Sequence, residues 1–326
     1  MKLQADYIRC HGSGNRFLLL DAVAEPRLEQ LDAAPALIRQ LCAPIDEAAA
    51  VPALGPTDGI LLLVQRDGIF GMRMFNTDGS EAEMCGNGIR CIARYAAERL
   101  PGESRSFDLW SGGRRYAAHR VEPVFETIPT WQIELAVRLA AKAVGFPVAR
   151  CVAEPIEALD PALRFTVLDL GNPHLVAQVG TIDDALLQHL GERVKELSAL
   201  FPHGINVSLF EHLGGQQIHT ATYERGVGLT ASCGTAMTAC STTACLLELC
   251  ACGEEITVRN SGGMVRCCCR KSGDGYTTSL AGNATFEADG RLELDTETGA
   301  VAYLRTTLRQ EEIAAYDRFY NFVQRH

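Results

Sequence analysis

The sequence predicts an α/β protein of two pseudo-symmetric domains. Each is a mixed or antiparallel sheet wrapped around a central helix, and the active site lies between them. Three observations carry this reading. A chain of 326 residues is too long for one small core and suits two domains of ordinary size. The order strand, polar turn, Cys-Gly, helix occurs twice, half a chain apart. The second of those helices, at about 235–250, is apolar or small on nearly every face, as a helix enclosed by sheet must be.

Taken in order, residues 7–22 read as strand, turn and strand, with His11-Gly12-Ser13-Gly14-Asn15 as the turn. Leu, Ala and Ile recur at helical spacing over 31–42. The Ala/Pro/Gly-rich stretch 43–57 reads as loop. Strands follow at 59–64 and 71–75, then the turn Asn76-Thr77-Asp78-Gly79-Ser80. A helix starts near Gly86 and stops at Pro101-Gly102. The second half repeats this order, with a strand at 165–170 entering Gly171-Asn172-Pro173-His174. Strands at 204–210 and 217–223 lead through a Gly-rich turn to Cys233 and its helix. Further strands fall at 255–259, 265–270 and 276–280, and residues from about 309 to the end are helical. The domains are therefore 1–130 and 131–308, with a C-terminal helix, about 309–326, able to pack back on the first.

Composition narrows the function classes. Apolar residues make up 47% and charged residues 21%, the profile of a soluble globular enzyme. A formal net charge of −10 gives no basic footprint for nucleic acid or an anionic membrane. No apolar run is long enough to span a bilayer, and residues 1–10 lack the apolar stretch of a signal peptide, so a cytoplasmic location is expected. The 13 cysteines show no CxxC pair and neither disulfide-framework nor zinc spacing. Most therefore read as small buried hydrophobes in a reducing compartment, and no metal is expected.

Two cysteines stand apart. Glu83-Met84-Cys85-Gly86-Asn87-Gly88 and Ser232-Cys233-Gly234-Thr235 each place a cysteine just ahead of small residues at a helix start. That position offers unpaired N–H groups and the positive dipole end of the helix. It binds a carboxylate and favours a thiolate. Two such sites can hold one α-carboxylate with the α-carbon between two sulfurs. One sulfur removes the α-proton and the other delivers a proton to the opposite face, so the centre inverts. The developing charge passes into the carboxylate, where the N–H groups point. No cofactor is required, and neither a Rossmann glycine fingerprint nor a phosphate-binding loop is present.

These motifs, in this order, resemble the diaminopimelate epimerase family over most of the chain. His11-Gly12-Ser13-Gly14-Asn15 is similar to the family's opening HGxGN. Phe75-Asn76-Thr77-Asp78-Gly79-Ser80 and Met84-Cys85-Gly86-Asn87-Gly88 resemble FNxDGS and MCGNG. Gly171-Asn172-Pro173-His174 matches GNPH, and Phe201-Pro202 with Asn206-Val207 matches FP and NV. Glu224-Arg225-Gly226 and Cys233-Gly234-Thr235 match ERG and CGT. The resemblance implies a cofactor-independent epimerase that converts LL-2,6-diaminopimelate to the meso form for lysine and peptidoglycan synthesis. It implies Cys85 and Cys233 as the acid/base thiols, with Gly86, Asn87, Gly234 and Thr235 cradling the reacting carboxylate. Asn15, Asn76, Asn172, Asn206, Glu224 and Arg225 would read the distal ammonium and carboxylate, and His174 and Glu224 would tune the thiols. It also implies a small-molecule amino-acid substrate and a homodimer.

The chain departs from the family pattern at Arg16, where Asp is usual, at Leu229, where Glu is common, and at Ala236, where Gly is usual. It also departs at 54–59 and in its greater length over 106–165 and at the C-terminus. Gly226-Val227-Gly228 and Gly282-Asn283-Ala284-Thr285-Phe286 mark a longer branch of the family. A racemase of another amino acid, such as histidine or a diamino acid, is the alternative on the same scaffold. Proline-type racemases carry a histidine where Asn87 stands. A binding-only relative and a thiol-redox protein are the non-racemase alternatives, and the presence of both cysteines weighs against the first.

Overall fold

The computed structural model describes residues 2–48, 50–100, 104–295 and 297–325. It divides into two compact units, one running to Ile133 and resuming over Gly282–Arg325, the other Glu134–Ala281. The predicted helix stop at Pro101-Gly102 lies outside the described residues.

In the first unit β1 (Lys2–Gly12) and β2 (Asn15–Asp21) form an antiparallel hairpin. Its turn holds Ser13 and Gly14 at positive φ, 51° and 77°. The single helix expected at 31–42 is two pieces, a 3-10 segment Pro26–Ala33 and α1 (Pro35–Cys42). Ala34 is non-helical at φ −128°, because the proline that follows disfavours the α region before it and starts a new helix at its own first turn. Then come β3 (Gly59–Arg66), parallel to β2, and β4 (Ile69–Asn76), antiparallel to β3. The short β5 (Glu81–Ala82) folds back on β4 ahead of α2 (Gly86–Ala97). β6 (Ser106–Ser111) runs parallel to β4, and β7 (Arg114–Val121) and β8 (Thr130–Val137) continue antiparallel. A Cβ on Gly88 would sit 2.7 Å from Leu61 Cδ2, so glycine lets the first turn of α2 press against the sheet.

The chain leaves this unit within β8. The second unit comprises β9 (Glu154–Ile156), β10 (Asp160–Asp169), β11 (Pro173–Val179), α3 (Asp184–Glu196) and β12 (Asn206–Gly214). It continues with β13 (Gln217–Glu224), β14 (Gly228–Thr230), α4 (Gly234–Leu246), β15 (Glu255–Asn260), β16 (Gly263–Ser272) and β17 (Gly275–Asn283). β10 and β11 are antiparallel, β11 and β12 parallel, β12 and β13 antiparallel, β13 and β15 parallel, and β15 to β17 antiparallel. This is the pairing order of β1 to β8, strand for strand, with α3 standing for α1 and α4 for α2. The repeat glimpsed in the motifs is thus a duplication of whole architecture.

α4 is buried from Gly234 through Cys245. Its Thr238, Ser241, Thr242 and Thr243 hydroxyls each donate to the carbonyl four residues back, at 2.9–3.0 Å. Those bonds satisfy polar groups that would otherwise be costly to bury. α3 went unread in the sequence. Its signals were Asp183, whose side chain accepts from the Ala185 N–H, and buried Leu187, Leu190 and Val194 along one face.

β18 (Thr285–Asp295), β19 (Ala300–Leu308) and α5 (Gln310–Arg325) complete the first unit. The reading of 131–308 as one domain is corrected here. β18 pairs antiparallel along β1 from Lys2↔Asp295 to His11↔Thr285, so 282–308 belongs with the first unit. α5 packs on the same unit through Arg94, whose guanidinium donates to both Glu312 oxygens at 2.5 and 2.8 Å. The Tyr316 ring meets His11 edge-on, with centroids 4.1 Å apart. The additional C-terminal length therefore braces the β1–β2 turn.

Candidate active site

Each unit carries a cysteine at the start of a helix, with its neighbours on the same plan. In the first, Cys85 caps α2 in extended conformation, and its sulfur accepts the Gly88 N–H at 3.4 Å. Cys85 is part-buried and lies 3.8 Å from Asn15 Oδ1. Asn87 donates to the same oxygen at 3.3 Å, and Asn15 donates to Asp58 at 2.9 Å. Asn76 closes its own turn, donating to the Ser80 hydroxyl at 3.0 Å.

Arg90 is a residue the sequence reading passed over. It is completely buried. Its guanidinium donates to Gly86 O at 2.9 Å, Asn87 Oδ1 at 3.0 Å, Asn283 O at 3.2 Å and the Ser13 hydroxyl at 3.4 Å. It ties the start of α2 to the β1–β2 turn. The glycine at position 12 follows from this, since a Cβ there would sit 2.7 Å from the guanidinium. The signal was present in the sequence, an arginine one helical turn after Gly86 on a helix meant for the core.

The second unit mirrors these contacts. Cys233 caps α4, buried, 3.5 Å from the Thr235 hydroxyl. Asn172, in the turn equivalent to that of Asn15, donates to Thr235 at 3.2 Å, as Asn87 pairs with Asn15. Burial, reinforced by the nearby Glu224 charge, pushes the Cys233 thiol well above its ordinary value, against the opposing Thr235 and Ala236 hydrogen bonds. Cys233 is therefore held protonated. Glu224 accepts from the Thr230 hydroxyl at 2.7 Å. Asn206 accepts the Arg225 N–H at 2.8 Å, and the exposed Arg225 guanidinium donates to His203 O at 2.7 Å. Thus Cys85, Asn15, Asn76, Gly86 and Asn87 belong to one unit, and Cys233, Gly234, Thr235, Asn172, His174, Asn206, Glu224 and Arg225 to the other.

His174 is fully buried and its Nε2 lies 3.0 Å from Asn172 Oδ1. Burial first, then the Arg225 charge, lowers its pKa to about 3. It therefore stays neutral near pH 7, and its visible role is to orient Asn172. Burial likewise lowers His11 to about 4. Both are neutral bases in the fold and titrate near 6.5 when unfolded. Their contribution to stability is intact above that value and is lost as pH falls toward the folded values. Between pH 6.5 and 5, His174→Asn should reduce the loss of unfolding free energy by about 2 kcal/mol relative to wild type. Urea denaturation across that range measures it, and identical slopes would contradict the assignment.

The departure at Arg16 has a local compensation. Arg16 Nε donates to Glu287 at 3.1 Å, beside Arg9 at 3.0 Å. Burial favours the neutral Glu287 carboxyl, but the charges of Arg16 and Arg9 oppose it, and the group is held below the usual carboxylate value. Leu229 is exposed on β14.

Comparison with known proteins agrees with this double plan. The sequence pattern of the family described as Diaminopimelate epimerase matches residues 7–125 and 166–287. The diaminopimelate epimerase of Clostridium acetobutylicum is 33% identical over 99% of this chain and 96% of its own length. That of Enterococcus faecalis is 38% identical over 85% of this chain and 86% of its own. Among solved structures, a PhzF-family phenazine biosynthesis protein of Bacillus anthracis superposes with TM-score 0.62 at 14% identity, covering 89% of this chain and 99% of that one. A hydroxyproline epimerase of Agrobacterium vitis, solved with trans-4-hydroxy-L-proline, gives 0.60 at 12% identity, covering 90% and 92%. These two share the fold. With the family pattern spanning both cysteine motifs and relatives matching nearly end to end, the chain belongs to the diaminopimelate epimerase family.

Proposed function

We propose that this protein is an isomerase that epimerises LL-2,6-diaminopimelate to meso-diaminopimelate, with Cys85 and Cys233 as the two acid/base groups. The observation that carries the reading is the matched pair of helix caps, one cysteine at the start of α2 and one at the start of α4, each preceded by the same strand order. The reacting carboxylate takes the N–H groups of Gly86-Asn87 and Gly234-Thr235, which also stabilise charge developing on it. Cys233, held as a thiol, delivers the proton, and Cys85 is the complementary base. Arg225 pairs with the distal carboxylate and Glu224 with the distal ammonium, aided by the amides of Asn15, Asn76, Asn172 and Asn206. Among the described residues no helix is long and apolar enough to cross a membrane. The protein works in the cytoplasm as a homodimer, feeding lysine and peptidoglycan synthesis.

The test is turnover. Protein dialysed against chelator, with reductant but no added cofactor, should convert LL-diaminopimelate to the meso isomer, resolved by chiral chromatography. Histidine, lysine and ornithine should remain unchanged under the same conditions. Racemisation of one of these with diaminopimelate untouched would overturn the substrate assignment.

A further inference from the structure

Beyond the two capping cysteines, the second unit gathers three others from separate elements. Cys245 lies in the last turns of α4, Cys252 in the connection to β15, and Cys269 on β16. Their sulfurs all lie within 4.8 Å of one another, and each thiol is within hydrogen-bonding reach of the other two. Cys245 and Cys269 are buried, whereas Cys252 is exposed.

The backbone builds this meeting. After α4 the Leu249 and Cys250 N–H groups both donate to Ala244 O, at 2.9 and 3.2 Å, with Glu248 in the left-handed region at φ 58°. The chain thereby turns back over the helix end. The Gly253 N–H then donates to Cys269 O at 2.8 Å, fastening the residue after Cys252 to β16.

We propose that Cys245, Cys252 and Cys269 form a three-thiolate site for a thiophilic d10 cation, zinc or cuprous copper, entering from the Cys252 side. Zinc–sulfur bonds of about 2.3 Å set tetrahedral sulfurs roughly 3.8 Å apart, so closure needs only small side-chain rotations. Soft thiolates select such ions. Each ligand binds as thiolate, so loading releases three thiol protons to solvent, and a solvent molecule completes a tetrahedral zinc. Cys245 lies twelve residues beyond Cys233 along α4, about 18 Å at 1.5 Å per residue. The ion therefore fastens the far end of the helix that carries Cys233 and takes no part in proton transfer.

The spacing explains why the sequence reading expected no metal. The three cysteines are separated by six and sixteen residues, and only the folded turn after α4 brings them together.

The test uses the full chain, reduced, stripped with chelator and handled without oxygen. Zinc is titrated in competition with a chromophoric zinc chelator, and cuprous ion with a cuprous chelator. Wild type should bind one equivalent of one of these ions. Affinity should fall about a hundredfold in Cys252→Ser, since loss of a ligand exceeds the tenfold or greater cost of an outer-shell change. Cys252→Ser should retain full epimerase turnover, which shows it folded. A Cys85→Ser/Cys233→Ser protein should bind the ion as wild type does. Failure of wild type to hold either ion, or equal binding by Cys252→Ser, would overturn the proposal. So would a disulfide among the three that persists in reductant.

Discussion

Cys85→Ser and Cys233→Ser should each lower kcat for inversion by about 10³-fold or more, the upper part of what a positioned acid or base contributes. The reason is the same at both positions. Serine preserves the size of the cap and its acceptor role, so the helix start and the carboxylate cradle persist. Its hydroxyl is a far weaker acid, so it neither takes nor delivers the α-proton. KM should therefore move much less than kcat, and the thermal midpoint should stay within a few degrees of wild type. Steady-state kinetics and a melting curve on each variant separate the two effects. An enzyme with one serine variant at full activity would need only one sulfur.

The second large effect is expected at Arg90. Arg90→Met keeps the volume but leaves Gly86 O, Asn87 Oδ1 and Asn283 O without the donors they have now. Buried acceptors stripped of a partner cost about 1–3 kcal/mol each before relaxation, so a net loss of about 3–4 kcal/mol is expected. The same bonds hold the first turn of α2 against the β1–β2 turn, so kcat should fall about tenfold in whatever protein folds. Arg90→Lys keeps charge but cannot serve acceptors on several sides, and should fall between. Denaturant midpoints order the three proteins. Wild-type stability in Arg90→Met would show that the buried guanidinium braces nothing.

Much of this was legible in the sequence because it is written locally. Gly12, Gly88 and the Cys-Gly pairs mark places where the backbone must turn or approach closely, and such places read directly from residue type. α4 was legible because no polar face exists to expose. What was missed depends on contacts distant in the chain. β18 joins β1 from nearly the other end of the chain, with Lys2 paired to Asp295 and Leu3 to Leu294, and nothing local in either strand names its partner. Arg90 sits on a helix meant for the core, but its partners Ser13 and Asn283 lie far from it in the chain. The Arg16 departure looked like a lost acid until Glu287, on β18, supplied the carboxylate beside it. The thiol cluster follows the same rule, since its three cysteines share no motif.

The central claim is that two sulfurs act on opposite faces of one α-carbon. Incubation of LL-diaminopimelate in deuterium oxide, quenched at low conversion, tests it most directly. The donor thiol exchanges with solvent before the reaction, while the proton taken by the other sulfur leaves to solvent. The meso product should therefore carry deuterium at the inverted carbon, while the recovered LL substrate remains unlabelled. Product that keeps its original protium at that carbon, or equal labelling of substrate and product, would mean one group serving both faces and would contradict the two-thiol account.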